Sequence, residues 1–107
     1  MGWFSSDSDQ GQAYTDYNNA PHKSSITHEL IAAAASYEAA RAYENHVAQN
    51  GAPDSHAETK ELLAAFAGGF VDKEVESKGL DFIDREKAKR EATRQAEQAY
   101  DDQGNNF

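Results

Sequence analysis

The sequence contains no cysteine and only two prolines in 107 residues. Without thiols there is no disulfide, no thiolate metal site, no cysteine nucleophile and no redox switch, a composition that suits a reducing compartment. Long apolar runs are missing as well. The mean hydropathy is −0.88, and no stretch approaches the roughly 20 consecutive apolar residues of a membrane span. Positive charge is scarce, with 10 Lys and Arg against 19 Asp and Glu and a net charge of −9. Such a field repels phosphate, so neither nucleic acid nor a membrane is an expected partner. Gly68-Gly69 lacks a following Lys-Ser or Lys-Thr, and no Gly-x-Ser-x-Gly elbow occurs, so nucleotide-binding and hydrolase readings lose their usual support. Gly2 and Ser6 fit the loose myristoylation pattern, but Trp3 directly after the glycine and the nearby Asp7 and Asp9 oppose it. No basic segment followed by an apolar run marks a signal peptide. The expected location is cytoplasmic, with nuclear entry by diffusion left open.

What is present is helix chemistry on a chain long enough for one small domain. Residues 1–25 read as a polar N-terminal arm interrupted by Trp3, Phe4, Tyr14 and Tyr17. Within it Asp9 can start a short helix with Gln12 three residues on, and Tyr14 and Tyr17 share a face, which favours docking of the arm on the body. Asn18-Asn19-Ala20-Pro21 ends that helix. The body is expected over 26–102, with a frayed tail at 103–107. Its first helix is capped by Ser24 or Ser25 and runs from Ile26 to about Gln49, rich in alanine. Its expected apolar stripe is Leu30, Ala34, Tyr37, Ala40 or Arg41, and Val47. Asn50-Gly51 and Pro53 end it. Ser55 and Glu58 form a capping box for a second helix from His56 to about Lys78, with a stripe of Leu62, Leu63, Phe66 and Phe70 and with Val71 and Val75 to the side. Gly68-Gly69 inside that helix suggests a close backbone crossing or a kink. Gly79 ends it, and Asp81 is the expected N-cap of a third helix reaching about Asp102. That helix has few large apolar groups beyond Phe82 and Ile83, and its charges are expected to pair along the helix, as Asp81 to Arg85, Glu86 to Arg90 and Lys87 to Glu91. The short links imply an all-α, antiparallel three-helix bundle.

Three alanine-lined rods carry little bulk for a core, and self-association would supply the missing burial. A homodimer or a protein partner is therefore expected, while a solvated third helix remains the plain alternative. Leu30, Ala34, Tyr37, Leu63, Phe66, Phe70, Phe82 and Ile83 are the residues of that core or interface, and the sequence does not decide which.

Several segments together resemble a known family. They are Met1-Gly2-Trp3-Phe4, Asn19-Ala20-Pro21-His22-Lys23, His28-Glu29-Leu30-Ile31-Ala32, Tyr37-Glu38-Ala39-Ala40 and Ala42-Tyr43-Glu44. Asn50-Gly51, Ser55-His56-Ala57, Asp72-Lys73-Glu74 and the run from Gly79 to Ala88 extend the likeness to about residue 100. The pattern is similar to the CipC-like family of filamentous fungi, named after concanamycin-induced protein C. The resemblance implies a small fungal protein associated with responses to antibiotics and other stresses. It carries over no catalytic residues.

Four histidines could titrate or bind a borderline metal. His28 and His46 lie on one helix, on the order of 27 Å apart at 1.5 Å per residue, too far for one ion. His46 near a helix end and His56 across a short link could converge, with Asp54 or Glu58 as a third ligand for a divalent metal such as Zn or Ni. The plainer alternative makes His46 a cation near a helix C-terminus and His56 a surface residue. No cofactor is expected otherwise. His28-Glu29 reads as a first-turn surface pair, since adjacent helical residues point apart. Neither Glu38 nor Glu44 has a histidine three residues later, which disfavours ferritin-like chemistry. No catalytic set emerges, so the expected role is non-enzymatic binding, with a ligand- or metal-binding helical protein using His46 and His56 as the alternative.

Overall fold

A computed structural model describes residues 9–20, 22 and 25–104, with side chains through residue 102. The opening segment with Trp3 and Phe4, the residues Pro21, Lys23 and Ser24, and the last residues of the tail lie outside the described residues. Four helices follow in order: α1 (Asp9–Asn18), α2 (His28–Asn50), α3 (His56–Lys78) and α4 (Arg85–Gly104). Among the described residues there is no strand. Helices α2, α3 and α4 each pack against the other two, and α1 packs on α2.

Local chemistry explains most of the boundaries. Thr27, rather than Ser25, caps α2: its side chain accepts the Leu30 N–H at 3.0 Å, while Ser25 sits in a preceding turn. Ser55 caps α3 by accepting the Glu58 N–H. Gly79 closes α3 in the left-handed conformation at φ 66° and ψ 43°, a region in which glycine meets no Cβ penalty. The start of α4 is three residues later than expected. Asp84, not Asp81, supplies the cap, its carboxylate accepting the Lys87 N–H at 3.2 Å. The residues in between turn back on themselves, with the Ile83 N–H bonded to the Leu80 carbonyl at 3.0 Å.

The core is built from small residues at its centre. Ala32, Ala34, Ala35 and Ala39 of α2, Ala67 of α3 and Ala88, Ala92 and Ala96 of α4 belong to one buried cluster. On α3 the buried positions recur every fourth residue as Thr59, Leu63, Ala67, Val71 and Val75. This shifts the expected stripe: Leu62, Phe66 and Phe70 pack only part-buried along its flank. Helices that approach across alanines leave no room for a ring between them, so bulk moves to the edges. On α2, likewise, Ile31 and Tyr43 are buried, whereas Leu30, Tyr37 and Val47 are half-buried and Arg41 is exposed.

The missing bulk comes from the arm. Tyr17 is 1% exposed and belongs to the core, and Tyr14 lies against Tyr37 with ring centroids 5.0 Å apart. Phe82, at 51% exposure, is the exposed large hydrophobic among the described residues. The glycine pair also reads differently in place. Among the described residues a Cβ on Gly69 would meet nothing within 4 Å, and one on Gly68 would meet Lys89 methylenes at 3.7 and 3.9 Å, so none of the described backbone crosses closely there.

Candidate functional site

The most organised polar corner lies where α2 begins and α3 turns into α4. Gly79 reverses the chain, the Leu80 N–H bonds to the Val75 carbonyl at 2.9 Å, and Leu80 and Ile83 drop into the core at 0% and 5% exposure. Two buried anchors thus bracket Phe82, which faces solvent between the exposed Asp81 and Asp84. The last fastening comes from another helix. The Asp84 N–H donates to Nε2 of His28 at 2.8 Å. His28, in the first turn of α2, thus also bonds across to the start of α4.

A cleft of about 260 Å³ opens beside this corner, lined by His28, Glu29, Lys87, Ala88, Glu91 and Gln95. Much of its polar lining is engaged within the protein. The Gln95 carbonyl accepts from Gln10 at 3.3 Å and from buried Ser36 at 3.4 Å, and its amide donates to Glu91 at 3.3 Å. Glu91 also bonds Arg94, and that hydrogen bond is the main reason its carboxyl is held below the usual carboxylate range. A wider groove between α3 and α4 carries Lys89, Arg90 and Arg94. Lys89 is bonded to Asp72 at 2.8 Å and Arg94 to Glu91, so two of its three cations are spent within the chain.

The charges of α4 pair across helices more than along it. Arg85 reaches Asp72 at 3.4 Å and Glu76 at 3.2 Å, and Lys89 shares Asp72. These contacts tie α4 to α3, in place of the expected Asp81 to Arg85 and Glu86 to Arg90 pairs. On α2, Arg41 pairs with Glu38 at 3.8 Å.

The remaining histidines sit in ordinary polar and aromatic surroundings. His46 lies edge-on to Phe66 with centroids 6.3 Å apart, and its Nδ1 meets the Asn50 side-chain amide at 3.4 Å. The ring of His56 stands 5.5 Å from that of Tyr100, whose hydroxyl lies 2.5 Å from Nδ1. Asp54 and Glu58 are exposed, and Glu58 gives its backbone N–H to the Ser55 cap. Among the described residues no three His, Asp or Glu side chains are grouped to hold an ion, so the structure does not bring His46, His56, Asp54 and Glu58 together as a ligand set.

The model of the family described as "Virulence factor CipC-like" matches residues 13–103. The chain belongs to this family. No curated protein and no solved structure matches it. In this CipC-like chain Ala34, Leu63 and Ile83 are core, Leu30, Tyr37, Phe66 and Phe70 are half-buried flanks, and Phe82 alone of the eight candidate interface residues is exposed. Sequence reasoning missed the part played by His28. The available signal was Lys87 three residues after the Asp84 cap: a capping box uses Glu or Gln there to bond the N-cap N–H, and lysine has no acceptor.

Proposed function

We propose that this CipC-like protein is a non-enzymatic, cytoplasmic fungal stress- and antibiotic-response protein that works by contact with another protein chain, either a second copy or a different partner. Family membership supports the biological setting. The observation that carries the contact reading is Phe82, 51% exposed on a turn held from both sides by Leu80 and Ile83. A large aromatic on a backbone anchored at both sides is the kind of group that anchors interfaces, because little backbone ordering remains to be lost on binding. Asp81 and Asp84 beside it favour a partner with a basic rim.

The same reading takes the body as an antiparallel three-helix bundle. Tyr43 late in α2 meets Thr59 early in α3 at 3.0 Å, and His56 at the start of α3 meets Tyr100 late in α4, which supports it. Metal binding through His46 and His56 is the weaker reading, because no third ligand joins them among the described residues.

Sedimentation of the purified chain, together with capture from stressed fungal cells and rebinding of the captured protein in pure form, tests the proposal. The wild type is expected to self-associate or to rebind one partner, and Phe82→Ser is expected to lose that contact with an unchanged unfolding midpoint. A strictly monomeric chain that rebinds nothing overturns it.

A further inference from the structure

The start of α4 is fastened by an acceptor that can be switched off. An N-cap residue needs a partner for its own N–H, and here the usual position holds Lys87. His28 Nε2 takes the role from α2, accepting the Asp84 N–H at 2.8 Å. A ring nitrogen that accepts carries no proton, so His28 is held as the neutral ring with its proton on Nδ1. The imidazolium has two donors and no acceptor, and it cannot make this bond.

We propose that His28 is a proton-operated latch on the turn 79–84: neutral, it fastens the turn and holds Phe82 in place, and protonated it lets the Asp84 amide go. The latch itself stands on the hydrogen bond; its consequence for binding rests on the reading of Phe82 as the contact residue.

The surroundings favour release once the ring is charged. His28 is the first residue of α2, and its Nε2 faces the cap of α4. A cation there meets the positive ends of two helix dipoles. The charged groups around the ring are Glu29 on its own helix, Lys87 and Glu91 across the cleft, and Asp84 at the cap. The Asp84 carboxylate already serves the Lys87 N–H, and Glu91 is engaged by Arg94 and Gln95. The carboxylates of Asp84, Glu91 and Glu29 all keep their charge and can attract an imidazolium, but contact with any of them leaves a protonated Nε2 unable to accept the Asp84 N–H. Among the described residues no second acceptor for the Asp84 N–H replaces the lost one, and the turn is then held by the burial of Leu80 and Ile83 and by the Leu80 to Val75 and Ile83 to Leu80 bonds.

Amide spectra of the free chain from about pH 8 to about pH 5, the range in which histidine changes charge, test the latch. In the wild type the Asp84 and Ile83 amide signals are expected to move together with the His28 ring. Protection of the Asp84 amide against solvent exchange, corrected for the intrinsic pH effect, is expected to drop several-fold at the acid end. His28→Gln keeps an acceptor without a titrating group, so protection should persist and the pH dependence should vanish. His28→Ala should leave the amide unprotected throughout. Equal protection of Asp84 at both ends of the range in the wild type overturns the proposal. These spectra contain no partner, so failure of the contact reading leaves their outcome standing, and a flat titration removes the latch without touching the Phe82→Ser test.

Discussion

The hydroxyl of Tyr17 donates to Oε1 of Glu74 at 2.7 Å, joining the N-terminal arm to the last turns of α3. Lys78 completes the cluster, 3.4 Å from Glu74 and 4.1 Å from the centre of the Tyr17 ring. Burial first, and then the hydrogen bond and charge of Glu74, push the phenol's ionisation well above its usual value. Tyr17 of α1 is thus part of the core.

The alkaline limb of stability follows from that cluster. A phenol with a raised folded-state pKa contributes fully below the unfolded value of about 10. Above it the unfolded chain gives up the proton and the folded chain does not, so stability falls as pH rises. Tyr17→Phe should cost about 1 kcal/mol at neutral pH through the lost hydrogen bond. It should also flatten the decline above about pH 10, as read from urea unfolding at several pH values. Parallel declines in wild type and variant would show that the phenol is not held neutral.

The alanine seam should tolerate almost no added volume. Ala92 is fully buried where α4 meets its neighbours. Ala92→Leu inserts three carbons into a packed contact and is expected to cost about 1–3 kcal/mol or more. Ala65→Leu, on the exposed face of α3, should stay within about 0.5 kcal/mol. Comparable unfolding midpoints for the two variants would remove the close helix approach on which this account of the core depends.

Much of this fold was legible because its signals are local. Ser55 with Glu58 and the αL glycine at 79 fixed both ends of α3, and the family likeness lay in plain residue runs. The errors came where two equivalent local answers competed and a distant contact chose between them. Asp81 and Asp84 are equally good caps by chemistry, and the burial of Leu80 and Ile83, with His28 accepting from Asp84, selects the second. At the start of α2 the cap is Thr27 rather than Ser25, whose N–H bonds back to the His22 carbonyl. Periodicity weighted by size puts Phe66 and Phe70 in the stripe with Leu62 and Leu63. Packing distance between helices, which reads from no single helix, put Ala67 there instead. His46 and His56 are close in sequence, yet each ring is taken up by a different neighbour, Asn50 and Phe66 for one and Tyr100 for the other.

Asp72 is the hinge of the α3–α4 charge contacts, accepting from Arg85 at 3.4 Å and Lys89 at 2.8 Å. All three side chains are partly exposed, so the contribution is modest and screened by salt. Asp72→Asn should lower stability by roughly 0.5–1 kcal/mol at low ionic strength, with the difference shrinking toward zero near 1 M salt, where the Debye length is about 3 Å. A difference that persists at high salt would mean that Asp72 acts through packing.

Gly69 offers the opposite kind of change. It lies inside α3 with no positive φ, and a Cβ there meets nothing within 4 Å. Alanine lowers the entropy of the unfolded chain and favours helix by roughly 0.8–1 kcal/mol over glycine. Gly69→Ala should therefore raise stability by about that amount. Gly68→Ala should gain slightly less, because its methyl must settle against the Lys89 methylenes at 3.7 Å, an ordinary contact distance. Urea unfolding with an unchanged slope and a higher midpoint is the expected result for both. A lower midpoint for Gly69→Ala would show that the backbone at this position is closely approached in the folded protein.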